Sequence, residues 1–110
     1  MKSKFVSLTT STNASVVLTS PTTTDNYYDT FGTLQTRSRT PRFGRVEVVN
    51  IDGGAPVYVR VDGTNPTVNG DNSYGIAALK DANVVIPVND TTVTVRLISS
   101  GSAQVSVIAY

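Results

Sequence analysis

Four arginines lie within nine residues that include no acidic residue: Arg37, Arg39, Arg42 and Arg45. The planar guanidinium group of arginine pairs bidentately with carboxylates and phosphates. The segment therefore favours docking onto an acidic protein surface. A solvated loop, or a loop folded back on the rest of the chain, explains the same residues. Nucleic acid ranks below both, because the whole chain carries a net charge of only +1 and has no recognised nucleic-acid motif.

Three aromatic residues precede the arginines: Tyr27, Tyr28 and Phe31. Exposed aromatic side chains are effective anchors for a protein partner and stacking platforms for sugar rings. Packed inward, the same side chains would seal an open end of the domain, and the sequence leaves both alternatives open. The candidate partner-binding residues are therefore Arg37, Arg39, Arg42, Arg45, Tyr27, Tyr28 and Phe31.

The residue types most often used in catalysis are scarce. The chain has no histidine and no cysteine, and Glu47 is its one glutamate. It therefore lacks the usual general base at neutral pH and the thiol nucleophile. The aspartates lie mostly in turn-rich segments, where carboxylates commonly accept hydrogen bonds from their own backbone. We expect a protein that is not an enzyme and needs no cofactor.

Calcium is the one metal for which the sequence offers candidate ligands. Asp62, Asn69, Asp71 and Asn72 place the oxygen ligands that Ca²⁺ prefers on neighbouring loops. No helix–loop–helix spacing accompanies them, and turn formation explains the same residues. We expect no metal site.

Short valine-rich segments separated by Gly, Pro, Asn and Asp dominate the second half of the chain. Valine is stiff at χ1 and fits a pleated sheet, and 17 of the 110 residues are valine. The alternation predicts strands at Phe5–Leu8, Ser15–Leu18, Arg45–Ile51, Val57–Asp62, Thr67–Val68, Asn83–Val88, Thr92–Ile98 and Ala103–Tyr110, with Ser73–Leu79 a strand or a helical turn. The turn at Asp52–Pro56 predicts a hairpin between the strands that flank it. Pro87 indicates an edge strand, because proline lacks the ladder donor.

These elements predict an all-β fold, an antiparallel β-sandwich or a small jelly-roll-like barrel with an extended N-terminal arm. We expect residues 1–44 to form an N-terminal arm and loop that contribute one or two strands, and residues 45–110 to form the sandwich domain. Residues 1–45 carry six basic and two acidic side chains, a net charge of +4, whereas residues 46–110 have a net charge of −3. The two parts can therefore attract each other, within one chain or between copies.

Targeting signals are weak in this sequence. Met1–Phe5 begins like the basic region of a signal peptide, but serine and threonine interrupt the apolar stretch that should follow. The longest unbroken apolar runs, such as Ile76–Leu79, have only four residues, and a membrane-spanning helix needs about 20. We expect a product of the cytosol without membrane insertion.

Five stretches spread over roughly half of the chain form a recognisable set: Val57–Thr64, Asn69–Tyr74, Ile86–Val88, Val93–Ser100 and Val105–Val107. Together they resemble the β-domain found in many small virion proteins of tailed bacteriophages. The N-terminal part carries no such resemblance.

The resemblance implies a structural role in a virion. The expected function is that of a capsid decoration or cement protein, which binds the major capsid protein as a homo-oligomer, a trimer or a dimer, on the capsid surface after assembly in the host cytoplasm. A neck, tail or baseplate component is the alternative, and a carbohydrate-binding module is the second alternative.

Overall fold

The computed structural model describes residues 1–110 and contains ten β-strands and no helix. The strands are β1 (Lys2–Leu8), β2 (Ala14–Thr19), β3 (Thr23–Tyr28), β4 (Leu34–Arg39), β5 (Phe43–Asn50), β6 (Val57–Arg60), β7 (Tyr74–Ile76), β8 (Ala82–Asp90), β9 (Thr92–Ser99) and β10 (Ala103–Ala109). None of the chain forms a helix of the length and apolarity needed to cross a membrane.

Eight of the strands form two antiparallel sheets that pack face to face. The first sheet has the order β1-β10-β5-β8, and the second sheet has the order β2-β9-β6-β7. One continuous hydrophobic core lies between them. The predicted all-β fold and antiparallel sandwich are thus confirmed.

Valine contributes nine of the 17 residues of this core, and inward side chains recur at every second position of the strands. Val46 and Val48 of β5 are fully buried, whereas Glu47 between them lies on the outer face. The alternation predicted for the last two strands is confirmed, and their inward side chains are Val93, Val95, Leu97, Val105, Val107 and Ala109. Side chains with a period of two occupy one face of a strand, so this spacing alone determines which residues lie inside.

One polar side chain, that of Asn50, is buried at the end of β5. Its Nδ2 donates hydrogen bonds to the carbonyl oxygens of Ala55 at 2.9 Å and Ala77 at 3.1 Å, and its Oδ1 accepts one from the N–H of Gly53 at 3.2 Å. These three bonds compensate for the loss of water around the amide group. Asn50 thereby ties the connection after β5 to the segment after β7.

The predicted hairpin between Arg45–Ile51 and Val57–Asp62 is wrong. The two strands exist as β5 and β6, but they belong to different sheets: β5 pairs with β10 and β8, and β6 pairs with β7 and β9. The connection at Asp52–Pro56 crosses from one sheet to the other. Glycine and proline mark a change of direction, but the choice of neighbouring strand depends on partners far away in sequence.

Two smaller predictions have opposite outcomes. Strand β8 lies at an edge of the first sheet, as expected from Pro87. The predicted strand at Thr67–Val68 is absent, because residues 61–73 form turns and coil over the outer face of the second sheet. In this segment Pro66 is buried, and Asn69 Oδ1 accepts a 2.6 Å hydrogen bond from the hydroxyl of Tyr58.

The expected N-terminal arm is not confirmed. Residues 1–44 contain four strands, of which β1 pairs with β10 in the first sheet and β2 pairs with β9 in the second. Both are edge strands with many exposed side chains, which agrees with their polar sequence. The extended part of the molecule is instead an internal hairpin formed by β3 and β4.

This hairpin gives the protein an elongated shape. The radius of gyration is 17.8 Å, and the principal extents are 62 × 24 × 18 Å. A compact domain of this length has a radius of gyration of about 13 Å. The hairpin therefore projects from the sandwich.

Candidate functional site: a projecting hairpin and a cavity at its base

The projecting hairpin, Thr23–Arg39, is a two-stranded ribbon with a continuous register. Thr23 lies opposite Arg39, and Tyr28 lies opposite Leu34 at the other end. Strands β3 and β4 pair with each other and with no other strand, so both outer edges of the ribbon are unpaired. Most of its side chains are exposed.

The tip of the ribbon is a hydrogen-bonded turn built around Asp29. Its Oδ1 accepts hydrogen bonds from the backbone N–H groups of Phe31 and Thr33, both at 2.9 Å, and its Oδ2 accepts one from Nε2 of Gln35 at 3.1 Å. The bond from Thr33 is the main reason that the pKa of Asp29 lies below its ordinary value. Gly32 has a φ of +75°, which glycine adopts without strain. The turn is therefore ordered by its own bonds.

Three large apolar side chains surround this ordered tip. The exposed fractions are 90% for Phe31, 73% for Tyr28 and 58% for Leu34. The alternative in which the aromatic residues seal the end of the sandwich therefore does not hold for Tyr28 and Phe31. Exposed aromatic groups on a rigid turn have little entropy to lose when they bind.

Leu34 was missed by the sequence analysis. A single leucine in a polar segment carries no periodic signal. The detectable signal was the symmetric placement of Tyr28 and Leu34 on either side of residues 29–33, where Asp29 and Gly32 are typical of a tight hairpin connection.

The structure divides the four predicted arginines into two pairs. Arg37 and Arg39 lie on one face of the ribbon. Arg39 Nε is 3.4 Å from Oδ2 of Asp25, and the guanidinium carbon of Arg37 is 5.5 Å from the centre of the Tyr27 ring. Arg37 lies opposite Asp25 in the register of the ribbon, but its guanidinium group forms no ion pair with a carboxylate of the chain.

Arg42 and Arg45 lie at the base of the hairpin and on the sandwich. Arg42 Nη1 donates a 3.1 Å hydrogen bond to the carbonyl oxygen of Asn89, and the guanidinium carbon of Arg45 is 4.6 Å from the centre of the Tyr110 ring. These contacts connect the start of β5 and the residue before it to β8 and to Tyr110, which follows β10. The two arginines are therefore not part of the projecting surface.

A cavity of about 290 Å³ opens beside the base of the hairpin. Its lining includes the apolar side chains Val61, Val88 and Val93 and the polar residues Asp90, Thr92 and Thr94. The hairpin leaves the sandwich at the same place, since the N–H of Ser20 donates a 2.8 Å hydrogen bond to the carbonyl oxygen of Thr91.

The cavity lies beside the part of β9 that extends past the end of β6. Strand β6 ends at Arg60, opposite Arg96 of β9, whereas β9 begins at Thr92. The segment 92–95 of β9 therefore has a paired strand, β2, on one side only. Backbone groups at an open edge of this kind can accept an additional strand.

Two of the four side chains considered for calcium, those of Asp62 and Asn69, have partners in the chain. Asp62 accepts a 3.1 Å hydrogen bond from Nε of Arg60 and another at 2.7 Å from the hydroxyl of Thr64, and the bonds from Arg60 are the main cause of its lowered pKa. No group of three or more acidic, histidine or cysteine side chains lies close enough to bind a metal ion.

Arg96 Nη1, for its part, donates a 3.1 Å hydrogen bond to Oδ1 of Asn65. The outward arginines of the second sheet, Arg60 and Arg96, therefore bond within their own chain.

The arrangement offers a rigid apolar tip, two basic side chains on the ribbon and a cavity with an open strand edge. Comparison with protein-family models, with curated proteins and with solved structures finds no match to this chain.

Proposed function

We propose that this chain is a structural protein of a tailed-bacteriophage virion, a capsid decoration or cement protein that binds the major capsid shell as a homo-oligomer. The observation that carries the proposal is the hairpin, which projects from the sandwich and ends in Tyr28, Phe31 and Leu34. The resemblance of five segments to the β-domain of small virion proteins supports the same function.

The hairpin does not stabilise its own chain through the hydrophobic core. The hydrophobic core consists of residues from the two sheets and includes none from β3 or β4. An isolated two-stranded ribbon is only marginally stable in water. A protein that keeps such a ribbon with apolar groups at its tip gains from it when a partner covers that tip.

Attachment through many copies fits this architecture. Each contact of one copy with the shell is weak, but several linked copies bind a repetitive surface far more tightly than one copy does. A virion shell presents such a repeated surface, on which an oligomer engages several equivalent sites. The proposed localisation is therefore the outer surface of the capsid, after assembly in the host cytoplasm.

The proposal is tested by binding of the purified protein to shells that lack it. The double variant Tyr28→Ser, Phe31→Ser should lose at least about 30-fold in affinity, the loss expected for removing a main interface anchor. Its thermal unfolding should remain that of the unsubstituted protein, because neither side chain lies in the core.

The matched control is Phe5→Ser, since Phe5 is 77% exposed on the sandwich. This variant should bind shells as the unsubstituted protein does. Full binding by the double variant would contradict the proposal.

A neck, tail or baseplate location is the alternative, and copy number separates it from decoration. Electron microscopy of the particle should find hundreds of copies on the shell for a decoration protein and a handful for a neck or tail component. The exposed aromatic tip also fits a carbohydrate-binding module, which a glycan array with the same two variants tests.

A further inference from the structure

We propose that the partner of the hairpin tip is the cavity beside β9 in a second copy of this chain, and that two copies exchange tips in a symmetric dimer. The inference rests on the proposed function, because it names what the hairpin binds when the protein forms the oligomer that attaches to a shell. Four features of the structure support it.

The first feature is the match in size between tip and cavity. The most exposed side chain of the tip, Phe31, ends in a phenyl ring, and the cavity of about 290 Å³ has a mostly polar lining that includes Val61, Val88 and Val93. A cavity of about 150 Å³ is sufficient to hold benzene. The site therefore has room for the Phe31 ring and for part of Tyr28 or Leu34.

The second feature is the pair of open strand edges. The ribbon has unpaired edges along β3 and β4, and β9 has an unpaired edge at residues 92–95. In the proposed dimer, β4 of one copy lies antiparallel to β9 of the other. Antiparallel pairing then satisfies backbone groups of both molecules.

The third feature is a complementary pair of charges. Asp90 at the mouth of the cavity makes no ion pair in its own chain, and neither does Arg37, which lies opposite Asp25 in the ribbon. Arg37 follows Leu34 by three residues, about 10 Å along β4. Asp90 is the last residue of β8, two residues before β9 begins, so a tip seated at the start of β9 lies beside the carboxylate with which Arg37 would pair.

The fourth feature is the position of the cavity at the base of the hairpin. Asp90 is the register partner of Phe43, where β5 begins just after the hairpin. Two hairpins that lie side by side in opposite directions therefore place each tip at the base of the other. One two-fold axis satisfies both contacts, which is the usual symmetry of a homodimer.

The test is the oligomeric state of the full chain in solution, without shells, measured by sedimentation velocity over a range of concentrations. The unsubstituted protein should form dimers. Phe31→Ser should weaken the dimer at least about 30-fold, and the control Phe5→Ser should leave it unchanged.

A charge exchange tests the geometry. Arg37→Asp and Asp90→Arg should each weaken the dimer about tenfold, and the combination of both should restore it. Because Oδ1 of Asp90 accepts a 2.7 Å hydrogen bond from the N–H of Thr91, Asp90→Asn is included as a variant that keeps this acceptor and removes the charge. It should weaken the dimer while thermal unfolding stays unchanged.

The outcomes separate this inference from the proposed function. A protein that is monomeric at every concentration, or a dimer indifferent to Phe31→Ser and to the charge exchange, overturns the tip-exchange dimer. In either case shell binding that depends on the tip would leave the proposed function standing. A dimer that responds as expected but does not bind shells supports the exchange and contradicts the decoration function.

Discussion

The carboxylate of Asp29 and the backbone of Thr33 close the tip of the hairpin from two sides. Oδ1 of Asp29 accepts a hydrogen bond from the N–H of Thr33 at 2.9 Å, and the N–H of Asp29 donates one to the carbonyl oxygen of Thr33 at 3.0 Å. The turn that displays Phe31 is thus held by a titratable group.

The order of the tip should therefore depend on pH. Because hydrogen bonds lower the pKa of Asp29 in the folded protein, its contribution is present above the ordinary aspartate value of 3.8 and is lost as the pH falls through the lowered pKa. Heteronuclear NOE values of the Phe31 and Thr33 amides should fall in acid. In Asp29→Asn, whose amide oxygen does not titrate, they should show no such transition, and an identical transition in both proteins would contradict this role.

Loss of a core valine should destabilise the sandwich as a unit. Val107 is fully buried in β10, which lies between β1 and β5. Val107→Ala removes two methyl groups and leaves a cavity, so the free energy of unfolding should fall by about 2 kcal/mol. Val17→Ala, at a valine that is 57% exposed, should change it by less than about 0.5 kcal/mol. Chemical denaturation measures both free energies of unfolding. Equal effects would show that Val107 does not lie in the core.

Replacing Asn50 should lower the free energy of unfolding more than the size of its side chain suggests, because its buried amide group forms hydrogen bonds. Asn50→Leu leaves the carbonyl oxygens of Ala55 and Ala77 without these bonds, and the free energy of unfolding should fall by about 3 kcal/mol. The exposed Asn83 provides the control, since Asn83→Leu changes no buried bond. Equal melting temperatures of the two variants would contradict the structural role of Asn50.

Two glycines with positive φ should respond differently to alanine. At Gly53, where φ is +65°, a Cβ atom would lie 2.5 Å from the backbone nitrogen of Lys80, so Gly53→Ala should lower the free energy of unfolding by about 3 kcal/mol. At Gly32, where φ is +75° and no atom lies within 4 Å of such a Cβ, the change should loosen the tip and leave global unfolding unchanged. Denaturation curves and amide exchange at the tip separate the two effects.

Local patterns in the sequence were sufficient for the fold class and for several strands. The alternation of Val93, Val95 and Leu97 predicted the inward face of β9, and Pro87 predicted an edge strand. Both signals are local, because the face of a strand follows from a period of two and proline lacks a donor wherever it stands.

The tertiary structure decided which strands are neighbours and where the candidate site lies. Pairing joins residues far apart in sequence, such as Lys2 with Ala109, and no turn signal encodes that choice. The projection of Tyr28 and Phe31 and the cavity near Thr94 likewise depend on where β6 ends relative to β9 and on what the hairpin does not contact. The sequence by itself determined a valine-lined sheet protein, whereas long-range packing determined what that protein exposes.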